Sequence, residues 1–303
     1  MNPIYKMNLP KELIKNLIDI HGIQGKKWLD ALPAFLSSYE KKWQFTLENF
    51  FNNASFNVVA AVTLTNGSPA VLKCSIPSKE FTNEITALLY FNGTGAVKIL
   101  RSDHNAGIML LEKLTPGTFL EESSNEMQNT LISVELMNKL HKTIQEEKIS
   151  LFPSLTNWFQ GFDRLYQYFQ GQTGPFPKKL IDRAQAISKE LLASMGPLVL
   201  LHGDLHYTNI LLSDRHGWLS IDPKGVIGER EYEIPFPRIS EAGNVNKISI
   251  KRRLDQFIEV SGFDRQRILG WAFCKAALAA WWSFEDNGEV WQPFLDCAEI
   301  LKI

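Results

Sequence analysis

Leu201-His-Gly-Asp-Leu-His-Tyr-Thr-Asn-Ile210 and, after a short hairpin, Ile221-Asp-Pro-Lys-Gly225 place two carboxylates and an amide in loops between short apolar runs. The runs Leu198–Leu201, Ile210–Leu212 and Trp218–Ile221 read as strands, with Asp214-Arg-His-Gly217 as the turn between the last two. Asp204, Asn209 and Asp222 then fall at strand ends, where a scaffold carries its chemistry on loops. Asn209 and Asp222 are hard oxygen donors of the kind Mg²⁺ takes when few protein groups hold it against phosphate oxygens. Asp204, five residues before Asn209, suits acceptance of the proton of an incoming alcohol. Together these residues can serve transfer of a phosphoryl group from a Mg²⁺-bound nucleoside triphosphate to a hydroxyl, although His, Asp and Asn in loops also cap turns.

Other readings of the same stretch are weaker. His202 and His206 flank Asp204 in the manner of a metal triad, but the segment reads as loop and lacks the HExxH helix of a zinc hydrolase. His202 reads as a structural residue that bonds backbone near the metal loop. Lys224 suits either a phosphate or a carboxylate across the loop. His21, His104, His141 and His216 read as turn, surface or packing residues.

Upstream, the alternation of Trp43, Phe45 and Leu47, the run Phe56–Leu64 and the run Pro69–Ile76 read as strands, with a tight hairpin at Asn66-Gly67. Lys73 lies mid-strand among apolar neighbours and needs a partner if buried. Ser78 is placed to cap a helix with Phe81, Ile85, Leu88 and Leu89 on one apolar stripe, and Gly93 to stop it. Glu84 lies on the inward edge of that helix, so a strand Lys and a helix Glu can pair. Val97–Leu100 and Ile108–Leu111 read as further strands. Leu9–Ile20 and Trp28–Tyr39 read as helices, with Pro33 at a helix start or a break.

Beyond Thr115-Pro-Gly117 helical signals take over, apart from the strand island around Asp204. The expected organisation is α+β: a nucleotide-binding lobe over residues 1–113, with residues 1–42 as a helical extension, and a mostly helical catalytic lobe over 114–303. Such an arrangement favours a site in a cleft between lobes.

Composition narrows the partners. Lys plus Arg number 32 against 33 Asp plus Glu, so no global positive field draws nucleic acid. Cys74, Cys274 and Cys297 contain no CxxC pair, which points away from a zinc cluster or disulfide framework and toward a reducing cytoplasm. No signal peptide is visible, and the most apolar long stretch, Trp271–Phe284, is too short for a membrane span and carries Lys275. The expected partner is a small molecule, with neither nucleic acid nor membrane.

The order His-x-Asp-x-x-x-x-Asn, then Asp after a hairpin, resembles the catalytic and metal loops of the protein-kinase-like superfamily. Gly203 and His206 are more similar to aminoglycoside phosphotransferases. Ile221-Asp-Pro-Lys-Gly225, Met109-Leu-Leu-Glu-Lys-Leu-Thr-Pro-Gly117 and Trp271-Ala-Phe-Cys-Lys-Ala-Ala-Leu-Ala-Ala-Trp-Trp282 resemble the streptomycin 6-phosphotransferase and hydroxyurea kinase subgroup. The resemblance implies a two-lobed kinase-like fold in which Lys73 contacts the α- and β-phosphates and pairs with Glu84. It also implies that backbone groups of Glu112 and Leu114 meet the purine of ATP or GTP, and that Asn209 and Asp222 hold Mg²⁺. Asp204 becomes the catalytic carboxylate. His206 stands where protein kinases carry a Lys near the γ-phosphate.

No Gly-rich loop precedes Lys73; the turn reads Asn52-Asn-Ala-Ser-Phe-Asn57, with Ser55 as the phosphate contact. The implied acceptor is a hydroxyl of an aminocyclitol such as streptomycin, or hydroxyurea. An endogenous hydroxylated metabolite and a nucleotide-binding scaffold without turnover stay open. A protein kinase is disfavoured because no Ala-Pro-Glu segment follows Asp222. Glu231 and Glu233 stand where relatives often have Asp, and Ile234-Pro-Phe-Pro-Arg238 departs from the usual helix opening. Trp271, Trp281 and Trp282 read as core residues rather than pocket lining.

Overall fold

The computed structural model describes residues 7–234 and 247–302, so Pro235–Arg238 of the departing segment lie outside the described residues. The chain separates into two compact units, Met1–Gly117 and Thr118–Ile303.

The first unit begins with α1, Lys11–Trp43, two helical pieces joined at Gly22, whose φ of 55° and ψ of −129° are non-helical. Pro33, expected at a start or a break, lies inside the second piece. Leu29, Leu32 and Leu36 around it are buried in the apolar core, and that packing outweighs the one hydrogen bond the ring removes. Trp43, expected to open a strand, instead closes α1. Gln44 turns left-handed at φ 55°, which delays the strand to Phe45.

The sheet comprises β1 (Phe45–Phe50), β2 (Val58–Leu64), β3 (Pro69–Cys74), β4 (Ile99–Asp103) and β5 (Ile108–Glu112). Its order is β1-β2-β3-β5-β4, and every pairing is antiparallel. At the β2–β3 turn Gly67 takes φ 80° and its N–H donates to Leu64 O at 2.8 Å. Alternate residues face opposite ways along a strand. Val58, Ala60 and Val62 of β2 and Ala70, Leu72 and Cys74 of β3 therefore join the core that α1 covers, while Lys73 points to the other face.

On that other face lies α2, Lys79–Phe91, capped by Ser78, whose hydroxyl accepts from Phe81 N–H, and closed by left-handed Asn92. Its buried stripe is Phe81, Glu84, Ile85, Ala87, Leu88 and Phe91. Leu89, expected in the stripe, is 48% exposed. It stands one residue past the inward Leu88, about 100° around the helix.

The chain passes through β6, Pro116–Phe119, into the second unit. Here α3 (Glu126–Leu140), α4 (Glu146–Ile149), α5 (Leu155–Phe159), α6 (Gly161–Tyr168) and α7 (Lys178–Ala193) precede β7 (Val199–Leu201). After β8 (Ile210–Ser213), β9 (Gly217–Ser220) and β10 (Val226–Gly228) come α8 (Lys247–Ser261), α9 (Arg265–Asn287) and α10 (Gln292–Leu301). β8 and β9 form a hairpin, and β7 pairs antiparallel with β10. Trp271 and Trp281 of α9 are fully buried, as aromatic residues at helical spacing predict. Among the described residues no helix is long and apolar enough to cross a membrane.

Candidate active site

In the first unit β3 is the central strand and holds Lys73 opposite Val59 on one side and Met109 on the other. Its Nζ lies 2.6 Å from Glu84 Oε1, and the two side chains are only 3% and 9% exposed. Water is excluded from both charges, so each depends on the other. The strand-to-helix pair expected from spacing is thus present.

The turn that carries Ser55 sits between β1 and β2. It is tied to α1 by a bond that no sequence pattern announced: Asn16 Nδ2 donates to Ser55 O at 3.0 Å. At the end of β5 the Glu112 N–H donates to Lys98 O at 3.0 Å, and its carboxylate accepts from Lys98 N–H at 2.8 Å. The Glu112 N–H and carboxylate are thus both engaged by the backbone of Lys98. Leu114, two residues on, is half-buried outside the sheet.

In the second unit the loops after β7 and β9 are stitched together by backbone. Lys224 and Gly225 N–H both donate to His202 O, at 2.8 and 3.1 Å, and Ile221 N–H donates to Asn209 O at 2.9 Å. These bonds hold Asp204, Asn209 and Asp222 in one constellation. Gly203 takes φ 86°, and a Cβ there would lie 2.9 Å from Trp158 Cη2, so only glycine fits before Asp204. Asp222 is a non-glycine residue at φ 60°, a conformation that a loop keeps only where its surroundings over-determine it.

His202 is completely buried, with Nε2 2.8 Å from Ile221 O and Nδ1 3.3 Å from Asp204 N. Nε2–H donates to the carbonyl and Nδ1 accepts the amide, so the ring is neutral. Burial accordingly depresses its pKa. This is the structural role expected for His202.

His206 lies beside the constellation, with Nδ1 2.5 Å from Thr208 Oγ1 and Nε2 3.7 Å from Asp204 Oδ1. Burial raises the Asp204 carboxyl, but the proximity and charge of His206, with Lys224, outweigh it and hold the group well below the ordinary carboxylate range. Its side chain is nevertheless 47% exposed.

Asn209 donates Nδ2 to Asp204 O at 3.0 Å, which fixes the amide and leaves Oδ1 as its oxygen donor. With the Asp222 carboxylate this makes a donor set of the hard type that fits Mg²⁺ bridging to phosphate oxygens. Among the described residues no cluster of three or more His, Cys, Asp or Glu could hold a metal by itself. Both ring nitrogens of His202 are engaged, one by Ile221 O and one by Asp204 N–H, which leaves neither for a zinc ion, whereas a metal shared with nucleotide phosphates needs fewer protein ligands.

The organiser of this loop was not legible. Glu233 is wholly buried and accepts from His202 N–H at 2.6 Å and Gly203 N–H at 2.8 Å, while His141 Nε2 lies 3.2 Å away. Burial raises the Glu233 carboxyl, but His141 and the charge of Lys275 hold it below the ordinary value. Glu233 thus reaches the loop that carries Asp204. Glu229, also buried, accepts from Arg267 Nε at 2.8 Å, Gly196 N–H at 3.1 Å and the Trp271 indole, and so ties α9 to the loop after β10.

Comparison with known proteins adds to this geometry. The family described as aminoglycoside/hydroxyurea antibiotic resistance kinase matches residues 42–288. The chain is 26% identical over 293 residues to the streptomycin 6-kinase of Streptomyces glaucescens, covering 95% of this chain and 94% of that one. It is 26% identical over 300 residues to the hydroxyurea phosphotransferase of Kitasatospora aureofaciens, covering 95% and 83%. Among solved structures, the Plasmodium vivax ethanolamine kinase superposes with a TM-score of 0.64 at 16% identity, covering 98% of this chain and 95% of that one. An aminoglycoside phosphotransferase of Streptomyces rimosus, solved with ADP and streptomycin, gives 0.54 at 18% identity, covering 82% and 98%.

Proposed function

We propose that this chain, which belongs to the aminoglycoside/hydroxyurea antibiotic resistance kinase family and is a phosphotransferase acting on hydroxyl groups, uses Mg-ATP or Mg-GTP to phosphorylate a streptomycin-type aminocyclitol or hydroxyurea. The observation that carries this reading is the Asp204–Asn209–Asp222 constellation, held by backbone bonds and organised by buried Glu233. The named acceptors of the relatives supply the substrate class.

Lys73, oriented by Glu84, neutralises the α- and β-phosphates, and Ser55 contacts phosphate from its turn. Backbone groups of Glu112 and Leu114 take the purine, and His206 reaches toward the γ-phosphate. Asn209 Oδ1 and the Asp222 carboxylate would hold Mg²⁺, which would supply positive charge against the phosphates. The acceptor oxygen forms a bond to the γ-phosphorus as the bond to the β-bridging oxygen breaks, leaving the nucleoside diphosphate. Asp204 orients the hydroxyl and receives its proton. A carboxylate held this far below its ordinary range is a weak base in the ground state, so orientation is its larger contribution, with the proton moving late in the transfer.

The test is nucleoside diphosphate release by purified protein with Mg²⁺, ATP or GTP, and a panel of streptomycin, other aminocyclitols, hydroxyurea and hydroxylated metabolites, beside Asp204→Ala. Release stimulated by streptomycin or hydroxyurea and lost in the variant supports the reading. Stimulation only by an unrelated metabolite transfers the chemistry to an endogenous substrate, and nucleotide binding without any turnover points to a scaffold.

A further inference from the structure

Resting on the acceptor class proposed above, we infer that the chain recognises a planar guanidino or ureido group next to the reacting hydroxyl, and that Trp158 and Trp282 are the surfaces that recognise it. Trp158 is half-buried on α5, and its Cη2 lies against the α-carbon of Gly203, where an added Cβ would approach to 2.9 Å. The indole edge therefore touches the residue immediately before Asp204. Trp282, also half-buried on α9, meets Trp158 edge to face, with centroids 5.5 Å apart and an interplanar angle of 88°. Trp271 and Trp281 of the same helix are buried completely. Core packing accounts for those two, whereas Trp158, which touches Gly203, and Trp282, which touches Trp158, each keep part of their surface exposed.

An indole face attracts cations, and a planar guanidinium stacks on it more effectively than a compact ammonium does. The cluster already binds one cation in this way: Lys275 Nζ lies 5.1 Å from the centroid of Tyr232, a ring that packs edge-on to Trp158 at 6.1 Å. Lys224 and Lys275 stand among the carboxylates of Asp204 and Glu233. The mixed charge does not demand a net cation, so a neutral ureido plane is admitted as well as a charged guanidinium.

Streptomycin and hydroxyurea differ greatly in size but share one local pattern. The hydroxyl of hydroxyurea is carried on a ureido nitrogen, and the 6-hydroxyl of streptomycin sits beside a ring carbon that bears a guanidino group. With that hydroxyl on Asp204, the planar group falls toward Trp158. One site then accepts both without matching their overall shapes.

The paired probes are streptidine and streptamine, the same ring with guanidino groups or with simple amines. Calorimetry measures their binding, and diphosphate release their turnover, for wild type, Trp158→Leu, Trp158→Phe and Trp282→Leu. The expected result is a kcat/KM about tenfold higher for streptidine than for streptamine. Trp158→Leu raises KM for streptidine and hydroxyurea about tenfold while kcat and the nucleotide KM stay within about twofold, and Trp158→Phe recovers part of the loss. Equal use of streptamine, or an unchanged acceptor KM in both leucine variants, overturns this inference and leaves the kinase reading intact. A wild-type protein that binds streptidine far better than streptamine but phosphorylates none of streptidine, streptamine and hydroxyurea supports this inference and overturns the acceptor proposed above; one that neither binds nor phosphorylates any of the three overturns both.

Discussion

The Lys73–Glu84 pair and the Asp204–Asn209–Asp222 loops are both charged constellations, yet they are built in opposite ways. Lys73 and Glu84 stand on a central strand and a helix, contact each other directly and are shut away from water. The three loop residues are held through their neighbours: backbone bonds among His202, Lys224, Gly225, Ile221 and Asn209, with Glu233 beneath. Asp204 among them keeps a half-exposed carboxylate, while Asn209 is buried at its side. A buried pair secures its geometry with its own charges, whereas a reactive group must leave its charge unspent and borrow rigidity from elsewhere. Substitutions in the first region should therefore cost stability, and those in the second turnover.

The largest effect is expected for Asp222→Ala, with a turnover loss beyond the roughly 10²- to 10⁴-fold that removing a proton acceptor costs, because a metal ligand disappears. Isothermal titration with Mg-nucleotide checks it; wild-type Mg²⁺ dependence in the variant contradicts the role. Asp204→Ala falls within that roughly 10²- to 10⁴-fold range for kcat while nucleotide affinity and the denaturation midpoint hold near wild type. A large drop in stability here would erase the contrast between the two regions.

Glu84→Ala acts on the other side of the contrast. It leaves Lys73 charged and buried without its main partner, at about 3–5 kcal/mol in urea denaturation. The double variant Lys73→Met with Glu84→Leu should regain most of that stability and still fail to bind nucleotide, which separates the pair's folding role from its binding role. Glu233→Gln sharpens the comparison from within the second unit. It weakens two charge-assisted backbone bonds, costing about 1.5–3 kcal/mol, and slackens the loop, so kcat should fall although Glu233 touches no substrate.

The smallest effect concerns pH. Burial holds His202 neutral, so below its unfolded pKa of about 6.5 the unfolded chain binds the proton that the folded chain refuses. Stability is therefore lost as pH falls through this range, by up to about 1.4 kcal/mol per pH unit for this one group. Denaturation curves at several pH values should show that slope, and His202→Asn should flatten it. Asp204 moves the other observable: because its carboxyl lies far below the usual range, it produces no acid limb in kcat/KM near neutrality.

Strands and helices were legible where one physical rule dominated. Apolar, β-branched runs on either side of Asn66-Gly67 placed β2 and β3, Ser78 capped α2, and the Asp214–Gly217 turn closed the β8–β9 hairpin. Rules failed where tertiary packing overrode local preference. Pro33 stayed within a helix because its neighbours are buried in the core, and Trp43 read as strand because an aromatic two residues before another looks alike in either state. Leu89 showed that composition alone does not assign a helix face.

At the candidate site, the reactive residues declared themselves through order and spacing along the chain. Their supports did not. Glu233 lies 31 residues after His202, Asn16 lies 39 before Ser55, and Trp158 reaches Gly203 from α5. No local pattern links residues that far apart, since a side chain that accepts a backbone amide or packs on an α-carbon needs only to be near in space.

Sequence by itself therefore determined which groups can do chemistry here, because oxygen donors, a strand lysine and a glycine that must turn left-handed are properties of residue type and short spacing. Only the tertiary structure decided which of them are spent on the fold and which remain open to substrate. Burial and hydrogen-bond partnership depend on the whole packed chain, and these separate the neutral, enclosed His202 from the accessible Asp204 two residues away.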